Sequence, residues 1–182
     1  MVDPGVKAFW VVLTDRALAA AAQADMDFSM GIIRGPLQGI PFAIKDTVDV
    51  EGVPTTCGSA VFADRIAVAD AAVVTKLCEL GAVPLGKVAT YDMGTVGPSF
   101  DLPHPAARNP WNAGHITGGS SSGSAAAVAA GMVRVAIGSS DTAGSIRSPS
   151  AYCGCVGIKS SFGTVPGAGV FSLAPSLTRS GR

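Results

Sequence analysis

The sequence predicts an α/β fold in which a mixed sheet is flanked by helices. First, the segment between residues 47 and 85 has the order strand, turn, helix, strand that builds such sheets. Second, an alanine-rich helix pattern and a following apolar run occupy residues 122–137. Third, 48% of the residues are hydrophobic and only 14% are charged, against about 25% charged residues in a typical soluble domain. We therefore expect a core-rich, incomplete portion of a larger fold.

The first third of the chain combines one predicted helix with several extended segments. Thr14 or Asp15 can cap a helix over 16–25, because a short side-chain oxygen accepts a hydrogen bond from the first helical turn. The other predicted elements are a turn at 2–5, an apolar strand or helix start at 8–13, a loop at 26–36, and strand segments at 38–44 and 47–53.

The rest of the chain continues this alternation. Asp70 is placed to cap a helix over 71–80, and Gly81 follows as a left-handed stop. The other predicted elements are a strand at 82–85, a long ordered loop or a lid at 91–111, a helix from Ser122 or Ser124 to Gly131, strands at 133–137 and 156–159, and a segment without helical pattern at 160–182. No repeat or linker divides the chain, so we predict a single partial domain over residues 1–182.

Charge and composition exclude several function classes. The chain has 13 basic and 13 acidic side chains, so nothing predicts binding to nucleic acid or to an anionic membrane. The longest apolar run, at 125–133, is far below the roughly 20 residues of a membrane span, and a secretory signal pattern is absent, so we expect a soluble, cytoplasmic protein. No metal site is expected, because metal-ligand spacing is absent among Cys57, Cys78, Cys153, Cys155, His104 and His115.

Two turns rich in small residues stand on either side of the alanine-rich helix pattern. The first has the sequence GGSSSG over 118–123, and the second has the sequence SSDTAGSIRS over 139–148. Such turns can simply cap a helix and allow close packing. They can also bind an anion through their N–H groups, although the GxxxxGK[ST] pattern of a phosphate loop is absent here. A serine in such a turn can be a nucleophile, and it then needs a base.

Lys45 is the candidate base. It ends the apolar segment GIPFAIK, which predicts a strand through the interior. Burial disfavours the ammonium form and lowers the pKa of a lysine, whereas a lysine at an exposed strand end stays solvated and charged. His104 and His115 lack an obvious acid partner for a histidine-based triad. Cys153 and Cys155 lie among apolar residues, which raise the pKa of a thiol and favour a packing role.

Five segments together resemble the amidase signature family of serine hydrolases, and they cover most of the chain from residue 35 to residue 163. They are GPLQGIPFAIKDTVDVEGVPTTCGS (35–59), DAAVVTKLCELGAVPLGK (70–87), RNPWN (108–112), GGSSSGSAAAVAAGMV (118–133) and SDTAGSIRSPSAYCGCVGIKSSFG (140–163). Because several independent motifs occur in the family's order, the resemblance predicts an amidase signature-like fold.

The resemblance implies a Ser-Ser-Lys relay in place of a Ser-His-Asp triad. Ser145 corresponds to the nucleophile that forms the acyl-enzyme, and Lys45 corresponds to the general base. Ser120 corresponds to the bridging serine, whose peptide bond to Gly119 is cis in this family. Lys45 would take a proton from Ser120, and Ser120 would take one from Ser145.

The second turn is expected to hold the oxyanion of the tetrahedral intermediate. The small residues Thr142, Ala143 and Gly144 allow close approach of their backbone N–H groups to the substrate. Asp141 and Arg147 flank this turn, and we expect them to fix its shape by hydrogen bonds rather than to transfer protons.

The second turn differs from the family's usual sequence GSDTGGSIR by one additional serine and by alanine in place of a glycine. Counting from the lysine side selects Ser120 as the bridging serine, whereas counting back from Ser145 selects Ser121. We choose Ser120 because its GGSS context matches, and we expect the extra residue to be absorbed as a bulge upstream of the turn.

The predicted function is cleavage of a non-peptide carbon–nitrogen amide bond in a small-molecule substrate, without a cofactor. An alternative within the same resemblance is a glutamine-hydrolysing amidotransferase A subunit that serves a tRNA-linked substrate, because such subunits share the triad. Another alternative is an inactive fragment that acts only by association, for example as a homo-oligomer, through an exposed apolar surface.

Overall fold

The computed structural model describes residues 3–101 and 103–174. Helices and strands alternate along much of this part of the chain. In chain order the elements are α1 (Asp3–Val6), β1 (Phe9–Val12), α2 (Thr14–Ser29), β2 (Pro41–Lys45), a 3₁₀ turn (Ala60–Phe62), α3 (Ala72–Glu79), β3 (Val83–Val88), α4 (Ser122–Ala129), β4 (Val135–Ile137) and α5 (Arg147–Cys153).

The four strands form one mixed sheet in the order β1-β3-β2-β4. β2 is parallel to both of its neighbours, whereas β1 is antiparallel to β3. The predicted α/β fold with a mixed sheet and flanking helices is therefore confirmed. Because β2 and β4 are parallel, with Ile44 opposite Ile137, both strands deliver the following chain to the same edge of the sheet. Lys45, the last residue of β2, lies at that edge.

One face of the sheet is covered by α4. Ala43 belongs to the same buried cluster as Ala126 and Ala127 of this helix, and such small side chains let helix and strand backbones approach closely. The approach is closest at Gly123, where a Cβ atom would lie 2.4 Å from the backbone nitrogen of Ala89. Only glycine fits there, so the start of α4 is held against the sheet.

The opposite face of the sheet is covered by α3. Phe42 and Ile44 belong to a buried cluster that includes Val74 of this helix. Successive side chains of a strand point to opposite faces, so Lys45 follows Ala43 toward the α4 side. The lysine predicted to lie in the interior is accordingly buried, with 1% of its surface exposed.

The predicted N-caps of α2 and α3 are wrong, and α2 is longer than predicted. Leu13 occupies the N-cap position of α2 and makes no side-chain cap, because Thr14 and Asp15 already lie inside the first turn. α3 begins at Ala72, with no side-chain cap. Asp70 accepts hydrogen bonds from Arg16 and from the backbone N–H of Glu51 instead.

Other boundaries also differ from the prediction. Residues 47–53 and 156–159 are not strands, although Val48 forms an isolated bridge with Val170. Residues 2–5 were expected to be a turn, and Asp3–Val6 instead forms one helical turn. The short helix α5 was not predicted, because Pro149 interrupts its sequence pattern. In contrast, Gly81 has the predicted left-handed φ, of 83°.

Candidate active site

The Lys45 amine and the Ser120 hydroxyl are in direct contact. Lys45 Nζ donates a hydrogen bond to Ser120 Oγ at 2.8 Å, and both groups are buried. Burial lowers the pKa of Lys45 to about 7, although the Cys57 thiol and the Asp141 carboxylate act in the opposite direction. A large fraction of this amine is therefore neutral at neutral pH and able to accept a proton.

The backbone around Ser120 is held from several sides. The peptide bond between Gly119 and Ser120 is cis, as the resemblance implies. The carbonyl oxygen of Ser120 accepts hydrogen bonds from the Tyr91 N–H, at 3.0 Å, and from Thr90 Oγ1, at 3.1 Å. A Cβ on Gly119 would lie 2.3 Å from the Tyr91 ring. Glycine is therefore required beside this ring.

The neighbouring serines have structural roles. Their hydroxyls donate to backbone carbonyls: Ser121 to Gly138 at 3.0 Å, Ser122 to Ala89 at 3.3 Å and Ser124 to Ile137 at 3.0 Å. These bonds tie the start of α4 to β3 and β4. Ser120 and Ser121 were the two candidates for the bridging serine, and the structure places Ser120 against Lys45.

The second turn lies beside the first. The Ser121 N–H donates to the carbonyl oxygen of Ser145 at 3.1 Å, and Ser145 is half-buried. Within the described residues, however, no hydrogen bond joins the Ser145 and Ser120 hydroxyls. The structure thus brings together Lys45 and Ser120, and it leaves the contact between Ser120 and Ser145 unformed.

Asp141 organises the second turn from inside. Its carboxylate accepts hydrogen bonds from the backbone N–H groups of Gly144, Ile146 and Arg147, at 2.7, 3.2 and 3.0 Å, and from the Arg147 guanidinium. Burial alone would raise the pKa of Asp141, but these donors hold it well below its usual range. Asp141 and Arg147 therefore fix the shape of the turn, as predicted.

The Gly144 N–H is consequently engaged with Asp141 rather than open to a ligand. Thr142 and Ala143, the other two candidate oxyanion residues, are exposed at the surface of the turn. Their N–H groups have no acceptor among the residues that the structure describes. Of the three predicted donors, two are therefore available in this conformation.

A buried ion pair next to Lys45 was not predicted from the sequence. Lys87 Nζ lies 3.0 Å from Asp46 Oδ1, and both side chains are almost fully buried. The amine also donates to the carbonyl oxygens of Val48, at 2.8 Å, and Pro54, at 3.3 Å, and to Thr55 Oγ1, at 3.0 Å. The pair anchors the loop after β2. A signal like the one that identified Lys45, a lysine near the end of an apolar strand, could have identified Lys87, the penultimate residue of β3.

A second unpredicted contact joins the two strand ends. Thr47 Oγ1 donates to Ser139 Oγ at 2.8 Å, and Ser139 has a φ of 55°. β4 pairs with β2 without a register shift. The additional serine in the second turn was expected to be absorbed as a bulge, and we find a left-handed residue two positions after the end of β4 instead.

The two histidines and Cys153, which were considered as alternative catalytic groups, lie in surroundings that do not form a catalytic site. The His104 ring packs on Trp10, with 4.7 Å between ring centroids, and His115 is exposed. Cys153 is buried, its thiol faces the carbonyl oxygen of Thr117, and burial raises its pKa to about 11. The predicted packing role of Cys153 is therefore confirmed.

Residues 3–101 and 103–174 hold neither a metal cluster nor a membrane-spanning helix. No group of three or more His, Cys, Asp or Glu side chains in this part of the chain is arranged to hold a metal ion. None of its helices combines the length and the apolar character that crossing a membrane requires.

A buried amine that contacts a serine hydroxyl, beside a second serine-bearing turn, is the kind of arrangement found in hydrolases that use lysine as a base. The comparison with protein families agrees with this class. The model of the family described as Amidase matches residues 1–181, and the chain belongs to that family.

Similar proteins carry related names. The chain is 47% identical over 180 residues to the A subunit of the glutamyl-tRNA(Gln) amidotransferase from an Azoarcus species, covering 98% of this chain and 36% of the relative. It is 38% identical to the native peptide amidase of Stenotrophomonas maltophilia, with a TM-score of 0.83, covering 91% of this chain and 34% of that structure. The A subunit of the Thermotoga maritima glutamyl-tRNA(Gln) amidotransferase is also 38% identical, with a TM-score of 0.76, covering 93% and 34%. The chain thus spans about a third of the length of these relatives.

Proposed function

We propose that this chain carries the acylation machinery of an amide hydrolase, with Lys45 as general base, Ser120 as the relay and Ser145 as the nucleophile. The observation that carries the proposal is the 2.8 Å contact between Lys45 Nζ and Ser120 Oγ. A buried amine whose pKa is lowered to about 7 can take a proton from a hydroxyl near neutral pH, as a solvated lysine cannot.

The proton path follows from this contact. Ser145 Oγ attacks the amide carbonyl carbon, its proton passes to Ser120 Oγ, and the Ser120 proton passes to Lys45 Nζ. The carbon–nitrogen bond then breaks, and the same path returns the proton to the leaving amine. Water hydrolyses the resulting serine ester and regenerates the Ser145 hydroxyl. No cofactor enters any of these steps.

The relay requires the Ser145 hydroxyl to come within hydrogen-bond distance of Ser120 Oγ. Catalytic hydrogen bonds are often long or poorly aligned without substrate and tighten when the reactants are bound. The Ser121 N–H holds the Ser145 carbonyl at 3.1 Å, so the second turn is already next to the first. A movement of the Ser145 side chain and its turn that brings the two hydroxyls into contact would complete the path.

The oxyanion would be stabilised by the exposed backbone of the second turn. The Thr142 and Ala143 N–H groups have no acceptor among the described residues, so they can donate to a developing negative charge. The Gly144 N–H donates to Asp141 at 2.7 Å, and this hydrogen bond would keep the turn rigid instead of binding the oxyanion. One preorganised donor of this kind is worth about 3 kcal/mol of transition-state stabilisation.

A second candidate function is release of ammonia from glutamine as an amidotransferase A subunit. The observation that favours it is the name of the curated relatives, one of which is 47% identical to this chain. The relay does not distinguish the two reactions, because both break an amide by acyl transfer to serine. Ammonia release from glutamine, measured beside hydrolysis of a simple aryl amide, separates them: hydrolysis of glutamine alone favours the amidotransferase.

The test of the acylation machinery is labelling by a fluorophosphonate, which reacts with an activated serine. We expect wild-type protein to be labelled at Ser145, Ser145→Ala to be unlabelled and Lys45→Met to be labelled far more slowly. The matched controls Ser29→Ala and Lys76→Met change exposed residues of α2 and α3 and should label like wild type. Thermal unfolding of each variant shows whether it is folded.

Absence of labelling in folded wild-type protein would overturn this proposal. The alternative, an inactive chain that acts only by association, would then gain support. Its structural basis is an exposed apolar segment after α5, where Val156, Ile158 and Phe162 are 87%, 77% and 69% exposed. Self-association measured by sedimentation, and its loss on replacing these residues by serine, would test that function.

A further inference from the structure

We propose that Thr47 and Ser139 are positioning residues that hold the Ser145 turn in register with the Lys45 amine. The inference rests on the proposed function, because it concerns the path from Lys45 to Ser145. Neither residue touches the reacting atoms. Their action is exerted through the backbone segments on which Lys45 and Ser145 lie.

The hydrogen bond between Thr47 and Ser139 lies just beyond the paired ends of β2 and β4. β2 and β4 are parallel neighbours, and their last paired residues are Ile44 and Ile137. Thr47 follows Lys45 by two residues, and Ser139 follows Ile137 by two residues. The hydrogen bond from Thr47 Oγ1 to Ser139 Oγ, at 2.8 Å, therefore links the two chain segments just beyond the sheet edge.

Both ends of this bond are themselves held. Thr47 is 3% exposed, and its carbonyl oxygen accepts a hydrogen bond from the Phe171 N–H at 2.8 Å. On the other side, the Gly138 carbonyl accepts from Ser121 Oγ at 3.0 Å. A movement of Ser139 would therefore pull on the first serine turn as well as on the second.

Ser139 also has a backbone conformation that needs support. Its φ of 55° lies in the left-handed region, which costs free energy for a residue that carries a Cβ. The hydroxyl bond to Thr47 offsets part of this cost. Without the bond, Ser139 can relax to an ordinary conformation, and the segment leading to Ser145 is redirected.

The structure leaves the Ser145 and Ser120 hydroxyls unbonded, so the position of the second turn decides whether the path closes. A displacement of about 1 Å at a reacting group can lower a rate about a hundredfold. We therefore expect the Thr47–Ser139 bond to control the rate of acylation rather than the affinity for substrate.

The experiment measures fluorophosphonate labelling of Ser145 as a function of probe concentration. Thr47→Val removes the donor and keeps the side-chain shape, and Ser139→Ala removes the acceptor. Each should lower the limiting labelling rate about tenfold or more and leave the half-saturating probe concentration unchanged within about twofold. Thr47→Ser keeps the hydroxyl and should restore the rate. Thr75→Val, on the exposed side of α3, is the matched control.

The double variant Thr47→Val with Ser139→Ala should be no slower than the slower single variant, because the two residues share one bond. Additive losses, a wild-type limiting rate in Thr47→Val, or an equal loss in Thr47→Ser would each overturn this inference and leave the proposed function standing. A wild-type protein that is folded but not labelled would overturn the proposed function and this inference together.

Discussion

Ser120 and Ser121 are adjacent in the chain, yet their hydroxyls have different partners. Ser120 Oγ lies 2.8 Å from Lys45 Nζ, whereas Ser121 Oγ donates to the Gly138 carbonyl at 3.0 Å. One hydroxyl therefore faces a buried base and the other ties α4 to the end of β4. This division of roles can be tested by removing one oxygen atom at a time.

Ser120→Ala should lower the fluorophosphonate labelling rate of Ser145 by about a hundredfold or more, because the proton path from Ser145 to Lys45 is interrupted. Ser121→Ala should lower the labelling rate far less than Ser120→Ala does and cost about 1 kcal/mol of unfolding free energy, the usual contribution of one hydrogen bond. Denaturant unfolding supplies the second quantity. Equal labelling rates in the two variants would contradict the assignment of Ser120.

The labelling rate of wild-type protein should rise with pH through about 7 and then level off. The reason is that only the neutral amine accepts a proton, and burial lowers the pKa of Lys45 to about 7. Below that pH, each unit should reduce the rate about tenfold. Rates measured between about pH 5 and pH 9, after subtraction of spontaneous probe hydrolysis, give the midpoint. A rate that still rises about tenfold per unit at pH 9, as an amine with the ordinary lysine value of 10.5 would give, would argue against a buried base.

Asp141→Asn should destabilise the second turn and reduce labelling more than Arg147→Ala does. Asp141 accepts three backbone N–H groups in addition to the guanidinium, and those three bonds survive the loss of the half-exposed arginine side chain. The comparison uses labelling rates and melting temperatures of the two variants. A larger loss in Arg147→Ala would show that the ion pair, and not the backbone bonds, shapes the turn.

The Asp141 carboxylate should also make the free energy of unfolding depend on pH in the acidic range. Its pKa is lowered in the folded protein from an ordinary value of 3.8. Such a group stabilises the folded state above the unfolded pKa and loses this effect as the pH falls toward the folded pKa. The unfolding free-energy difference between wild type and Asp141→Asn should therefore be largest above about pH 4 and shrink below it. A pH-independent difference would contradict this origin.

Lys87→Met should cost about 3–5 kcal/mol of unfolding free energy, because it leaves the buried Asp46 carboxylate without its cation. The exposed pair of Lys76 and Glu79, with side chains 68% and 58% exposed, supplies the control: Lys76→Met should cost less than about 1 kcal/mol. Replacing Lys87 and Asp46 together by Met and Leu should cost less than Lys87→Met alone. Urea unfolding of the four proteins tests this order.

The sequence predicts the elements around the site better than the contacts within it. An apolar run that ends in lysine is enough to place Lys45 at the end of a buried strand, and Gly81 is recognisable as a left-handed stop. The mixed sheet follows from the alternation of such elements. In contrast, α5 is short and contains Pro149, so its helical pattern is too weak to predict.

Contacts between residues far apart in the sequence explain most of the remaining differences between the predicted and the observed structure. Asp70 resembles a helix cap in sequence, but Arg16 reaches it from a distant helix and forms a bidentate ion pair. The Gly144 N–H was assigned to the oxyanion because glycine allows close approach, and its actual partner, Asp141, depends on the path of the turn. The spacing of neighbouring residues in the sequence does not indicate either of these hydrogen-bond partners.

The position of Lys45 on a strand with neighbours on both sides has a consequence for the newly synthesised chain. In an unfolded chain this lysine has its ordinary pKa of 10.5, and only about 0.03% of it is uncharged at pH 7. A large neutral fraction of this amine would therefore arise only once β3 and β4 have paired with β2 and the side chain is buried. Under the proposed function, the unfolded or misfolded chain is therefore unreactive toward amides, and the appearance of that reactivity reports that the sheet has assembled.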